Sequence, residues 1–257
     1  MPEPVSTSHP ADADTEASGT RSRATWWWWL LLAVVVLPVA GAGWQRHRDG
    51  WFPESDDATI LLLSHDTFSR HPPLVGMPST AAETLDDPQL HHPGPLEMYG
   101  LAAFTHAGTA STTATTTAVV LFNIVMVSGF GLVFRRLGGD LLGAAGLVAA
   151  GLALWSMGGD APASVWNPYI AVLPFVLLLI LAAAVAVGHR RLLPWALAIG
   201  SFVVQAHLGY LGLGVLVMAW AVATVAWDAW RDQPPAPKPA GSRGGAPAWW
   251  RCCGRRR

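Results

Sequence analysis

Charge is scarce in this sequence. Only 13% of its 257 residues are Asp, Glu, Lys or Arg, while 52% are hydrophobic; ordinary soluble domains carry about 25% charged residues. The net charge is −1, so no bulk charge recruits nucleic acid. Cysteine is nearly absent. Cys252 and Cys253 sit side by side in a basic tail, which excludes a disulfide framework and reads as incidental rather than redox-active. Catalytic signatures are missing as well. None of the nine histidines has the i, i+4 spacing with an intervening glutamate that a zinc protease uses, and no glycine-rich loop after a strand marks a nucleotide-sugar site. "GLGVL" lies inside an apolar stretch, where glycine is common.

What the chain has instead is apolar residues in long blocks. Residues 1–24 are polar and bury nothing, which suits a disordered cytoplasmic leader. "TWWWWLLLAVVVLPVAGAG" follows Arg21 and Arg23 and is long enough to span a bilayer. Trp26 to Trp29 suit an interfacial belt at its inner end. Ala40-Gly41-Ala42 resembles a signal-peptide cleavage site, but the leader is long for that role, and an uncleaved anchor is the preferred reading. The next spans are expected at about 112–134, 137–156 and 169–188. The apolar tract 192–227 would measure about 54 Å as one helix, against a hydrocarbon core of about 30 Å. It is therefore expected to fold back at "QAHLGY" into spans at about 192–206 and 208–227. The Pro- and Gly-rich basic stretch 231–257 has no core-forming pattern and reads as a disordered tail.

The expected fold class is thus all-α: a polytopic transmembrane helix bundle of about six spans, with an outer loop over 44–111 and juxtamembrane helices. Arginine orients it. With the N-terminus inside, all Lys and Arg but Arg46, Arg48 and Arg70 fall on inner segments. The positive-inside rule then places both termini in the cytoplasm of a multi-pass cell-membrane protein, with the first loop outside. Arg46 and Arg48, close behind the first span, run against the bias.

On that topology the unusual polar residues share the outer face: Asp56, Asp57, His91, His92, Trp166, Asn167, Gln205, His207 and Tyr210. Polar groups at membrane depth are costly and are default candidates for function, although interhelical bonding is an equal reading for Gln205 and His207. Adjacent histidines in an extended stretch point to opposite faces, so His91 and His92 are poorly placed to chelate one ion, and no metal site is expected. Asp56-Asp57, ahead of "ATILLL", has two readings. One is a helix N-cap; the other is a carboxylate held at the surface as a general base. In "HHPGPLEMYG", Pro93 and Pro95 lock the backbone and Gly94 permits a sharp turn. That corner swings a short segment, about 96–106, onto the membrane surface.

In order, "DDATILLL", "HPPLVG", "HHPGPLEMYGLA", "WNPYIAVLPF" and "GSFVVQAHLGY" follow the first span. This series resembles the actinobacterial branch of the multi-spanning GT-C glycosyltransferases, relatives of the protein mannosyltransferases and arabinofuranosyltransferases. The resemblance covers about residues 26–227. It implies transfer of a sugar from a polyprenyl-phosphate carrier to an acceptor outside the membrane; no motif in the sequence indicates a cofactor. Asp56 matches the family's acidic base best, with Asp57 its neighbour. His91, His92, Trp166, Asn167, Gln205, His207 and Tyr210 match outer-face motifs expected to bind substrate, His92 and His207 as donors to the phosphate. Family members are usually longer, so the resemblance implies a truncated N-terminal fragment or a true short form. The competing reading is a non-catalytic polytopic membrane protein, either a degenerate relative or an assembly partner. A transporter would show midplane polar sites or internal repeats, and neither is evident.

Overall fold

A backbone in lipid must satisfy its own N–H and C=O groups, so apolar blocks of this kind become helices. The computed structural model describes residues 26–79, 90–106 and 111–231. The leader, nearly all of the basic tail and both cysteines lie outside the described residues. Among the described residues eight α-helices run in order: α1 (Trp26–Arg48), α2 (Ser55–Asp66), α3 (Leu96–Thr105), α4 (Ser111–Met157), α5 (Asn167–Ile170), α6 (Val172–Ala186), α7 (Leu193–Ala206) and α8 (Leu211–Arg231). Among the described residues the only β pairing is the single antiparallel bridge between Pro78 and His91.

Among the described residues four helical stretches are long and apolar enough to cross a membrane: Trp26–Arg48, Thr112–Met157, Asn167–Ala186 and Leu208–Arg231. The 46-residue stretch is not straight. At Gly139 the chain takes φ 78 and ψ −170, a conformation closed to residues with a Cβ, and Gly138 beside it is also non-helical. The two arms of α4 fold back on each other, bringing Gly131 against Leu147 and Gly146 against Phe134. An ion pair from Arg135 to Asp140 straddles the turn. The break expected at 135–136 therefore falls at 138–139.

The tract 192–227 also folds back. Helix α7 ends where His207 turns extended (φ −148, ψ 133), and Gly200 and Gly214 of the two limbs abut Met218 and Val204. Helix α7 has 14 residues, about 21 Å at 1.5 Å each, which is shorter than the bilayer core.

Helix α6 lies at the centre and buries Leu177, Leu178, Leu181 and Val185 among α4, α7 and α8. Helix α1 is peripheral. It buries Trp28, Val35, Val39 and Gly43 against α4 and exposes Leu30, Val34 and Leu37. The bundle has two distinct ends. One gathers Arg135, Arg136, Arg190 and Arg191, with exposed Trp26, Trp29, Trp195, Trp227 and Trp230 nearby in the chain. Trp28, expected in an interfacial belt, is instead fully buried, with the Arg135 guanidinium 5.0 Å from its ring centre. Helical periodicity explains this: one of four consecutive residues must face α4. The other end carries α2, α3 and the turns around 160–170 and 205–210.

Candidate functional site

Helix α2 starts from an abrupt corner. Gly50 (φ 65) ends the turn after α1, and Ser55, directly ahead of Asp56, has φ 51. A non-glycine residue in that left-handed region is uncommon, and such conformations cluster at functional sites. The N-cap of α2 is Glu54, which makes no side-chain cap bond. The cap reading of Asp56 and Asp57 is therefore corrected. Both occupy the first helical turn, where carboxylates suit the helix dipole, and their side chains reach elsewhere.

The Asp56 carboxylate accepts from Trp166 Nε1 at 2.9 Å, across 110 positions of sequence. Asp57 faces Arg46, Nη2 to Oδ2 3.6 Å, with side chains only 10% (Arg46) and 17% (Asp57) exposed. The Arg46 guanidinium also lies 4.1 Å from the centre of the Trp51 ring. Burial pushes the Asp57 carboxyl above its usual range; Arg46 opposes the rise and the charge of Asp56 adds to it. The adjacent acids thus sit in different surroundings.

The two histidines of the opening motif diverge as an extended backbone requires. Segments 76–79 and 90–92 pair through Gly76 N–H to His92 O, His92 N–H to Met77 O and Ser79 N–H to Leu90 O. His91 is half-buried, whereas His92 is 5% exposed. His92 Nδ1 accepts the Leu208 N–H at 3.0 Å, and its ring stacks on His207 at 4.9 Å. Burial, then His207, hold the pKa of His92 down to about 4, against an opposing pull from Asp56. His207 is also pushed down by burial, and its Nδ1 accepts the Gly209 N–H. With Nδ1 accepting, each neutral ring carries its proton on Nε2. The pair offers N–H donors and no cation.

The remaining residues brace this end. Asn167 is buried and donates to Ala206 O at 3.2 Å. Gln205 Nε2 donates to Ser201 Oγ, and its backbone carbonyl accepts the Gly94 N–H. Tyr210 donates to Pro168 O and sets its ring against Phe175 and His207. Gly94 is needed here for close approach rather than for a positive φ: a Cβ would lie 2.6 Å from Gln205 Cγ. The corner itself leads straight into α3, with Pro95 as its N-cap.

Two residues at this end escaped the sequence reading. Arg46 was noticed only as a topological discord. Glu97 is 2% exposed, and its Oε1 has no hydrogen-bond partner. Burial, then the charge of Asp57, push its carboxyl well above the usual range. It lines an apolar cavity of about 600 Å³ with Tyr99, Phe104, Leu121, Val125 and Phe202. A lone acid in the otherwise apolar run "LEMYGLAAF" was the available signal. Away from this cluster His65 stacks on His106 at 4.4 Å. Among the described residues no three His, Cys, Asp or Glu converge as a metal site. Compared with protein-family models, curated proteins and solved structures, the chain matches none.

Proposed function

We propose that the chain is a membrane glycosyltransferase, or part of one, that moves a sugar from a polyprenyl-phosphate carrier to an extracytoplasmic acceptor. In this reading α1, the two arms of α4, α5–α6, α7 and α8 make six crossings, with the arginine-rich end in the cytoplasm. The observation that carries it is the Asp56–Trp166 hydrogen bond. It joins two separate motifs of the series, beside a third and a fourth represented by His92 and His207.

The chemistry fits that cluster. The Asp56 carboxylate takes the proton of the acceptor hydroxyl. The hydroxyl oxygen forms a bond to the sugar's anomeric carbon, and the bond from that carbon to the phosphate oxygen breaks. The phosphate leaves with the electron pair and, already an anion, needs donors rather than a strong acid. Trp166 Nε1 orients the base, and His92 and His207 offer N–H groups.

Transfer from a radiolabelled polyprenyl-phosphate sugar in membranes tests the reading. Asp56→Asn keeps an oxygen to accept from Trp166 but cannot take a proton. It should lower transfer by about 10²–10⁴-fold, with Asp57→Asn milder. Parental transfer by Asp56→Asn overturns the base assignment. A parent chain that transfers nothing from any such carrier leaves the non-catalytic alternative. Reporters fused after Arg70 and Arg136 should read extracytoplasmic and cytoplasmic respectively; the opposite result for either overturns the topology.

A further inference from the structure

We propose that Arg136 and Arg191 bind the phosphodiester headgroup of an anionic phospholipid, at the end of the bundle opposite the candidate site. This site goes beyond the transferase reading and does not rest on it.

The turn after α6 builds it. Gly188 takes φ 103, a left-handed conformation that residues with a Cβ rarely adopt. The His189 N–H then reaches back to Ala184 O, while the Val187 and Gly188 N–H groups donate to Ala183 O and Val185 O. These bonds close the end of α6 with backbone alone, so neither following arginine is required as a cap. The reversal brings Arg190 and Arg191 beside Arg136 at the end of the first arm of α4. With Gly188, His189 and Leu192, the three arginines line a cavity of about 340 Å³.

Charge at this turn is only half answered. Arg135 pairs with Asp140, and Arg190 with Asp228 at 3.3 Å. Arg136 and Arg191 are exposed, and among the described residues neither has a carboxylate partner. No acid lines the cavity. Each planar guanidinium can engage two oxygens together, which suits the free oxygens of a phosphodiester. A zwitterionic headgroup brings an ammonium as well, and the lining holds no carboxylate to receive it.

Two exposed arginines in open water would be an ordinary solvated face. Depth in the membrane makes the difference here. Trp195 follows Arg191 by one helical turn, in α7. Trp227 and Trp230 flank Asp228, the residue that holds Arg190. All three indoles are exposed, and exposed tryptophan at the end of a membrane helix sits at headgroup level. The cavity therefore lies where lipid phosphates lie. Basic pockets between membrane helices hold anionic headgroups in this way. A lipid seated here would tie α4 to the turn between α6 and α7.

Lipid counting tests this. The full chain in detergent is titrated with phosphatidylglycerol, with phosphatidylcholine of the same acyl chains, and with glycerol 3-phosphate, and bound molecules are counted in native mass spectra. Phosphatidylglycerol should fill one saturable site that phosphatidylcholine does not, and should raise the thermal midpoint as it does so. Arg136→Gln and Arg191→Gln should each weaken that binding by about fivefold, and the pair by about thirtyfold. Lysine at both positions keeps the charge but loses the forks, and should still weaken it several-fold. Arg70→Gln, exposed at the other end, should bind as the parent does. If the glutamine pair does not insert, the lysine pair decides. Equal binding of phosphatidylcholine, or parental affinity in the glutamine pair, overturns the site. Parental affinity in the lysine pair overturns it too, because diffuse surface charge would then suffice. Displacement of the lipid by glycerol 3-phosphate overturns the lipid assignment in favour of a soluble phosphate.

Discussion

The two ends of the bundle use the same residue types to opposite effect. At the arginine-rich end, Arg135–Asp140 and Arg190–Asp228 are ion pairs with side chains about a third exposed. Water solvates both partners there, and such pairs contribute little. At the other end the Arg46–Asp57 pair is shielded, a second carboxylate lies beside it, and Glu97 is buried close by. Tryptophan divides in the same way. Trp195, Trp227 and Trp230 are exposed near the arginine-rich end, whereas the Trp166 indole N–H is bound to Asp56. One end is built like an interface with lipid headgroups and water. The other keeps charge where solvent does not relieve it, as functional sites do.

The sharpest way to break this comparison is to remove one arginine from each end. Arg46→Met should lower stability by about 3–5 kcal/mol, because it strands a shielded Asp57. Arg190→Met should cost about 0–1 kcal/mol. Thermal midpoints in detergent check this, and equal losses would end the distinction. Next come the glycines. Gly94→Ala drives a Cβ into Gln205 and should cost about 1–3 kcal/mol. Gly212→Ala meets nothing within 4 Å and should leave the midpoint unchanged or raise it.

Acid comes third. His92 has a folded pKa of about 4, below the ordinary value of about 6.5. The stability tied to its neutral ring is therefore complete above about pH 6.5 and is lost as pH falls toward 4. His92→Asn keeps an acceptor for the Leu208 N–H and does not titrate, so its midpoint should fall less over that window. An unchanged slope would move the acid sensitivity elsewhere. The smallest effect is expected from Glu97→Gln in acid, where burial keeps the parent carboxyl protonated. A raised pKa means that stability is complete below the unfolded value and is lost as pH rises through the folded one. The variant should accordingly gain stability relative to the parent as the pH is raised.

Much of the architecture was legible because block length against bilayer thickness is a one-dimensional quantity. The run from Trp26, the break in the long threonine-led block and the reversal at Gln205 to Tyr210 all follow from it; the structure forms one helix over the first and folds the chain back at the other two. The helix after Pro93-Gly94-Pro95 was legible because proline forbids its continuation backward. The site was legible only as a set of polar residues on one face. Its pairings were not. That Asp56 meets Trp166, that His92 takes the Leu208 N–H, and that Gly94 is needed because Gln205 packs on it depend on register between distant segments.

By itself, then, the sequence determined where helices form and break, since local apolar length, proline and glycine act within a few residues. Tertiary packing alone decided that Trp28 is core rather than belt, that Asp56 and Asp57 diverge, and that Arg46 and Glu97 are buried. The physical reason is that desolvation is a property of a position in space. No residue's neighbours in sequence state how many atoms will surround it once α1, α2, α3 and α4 have packed.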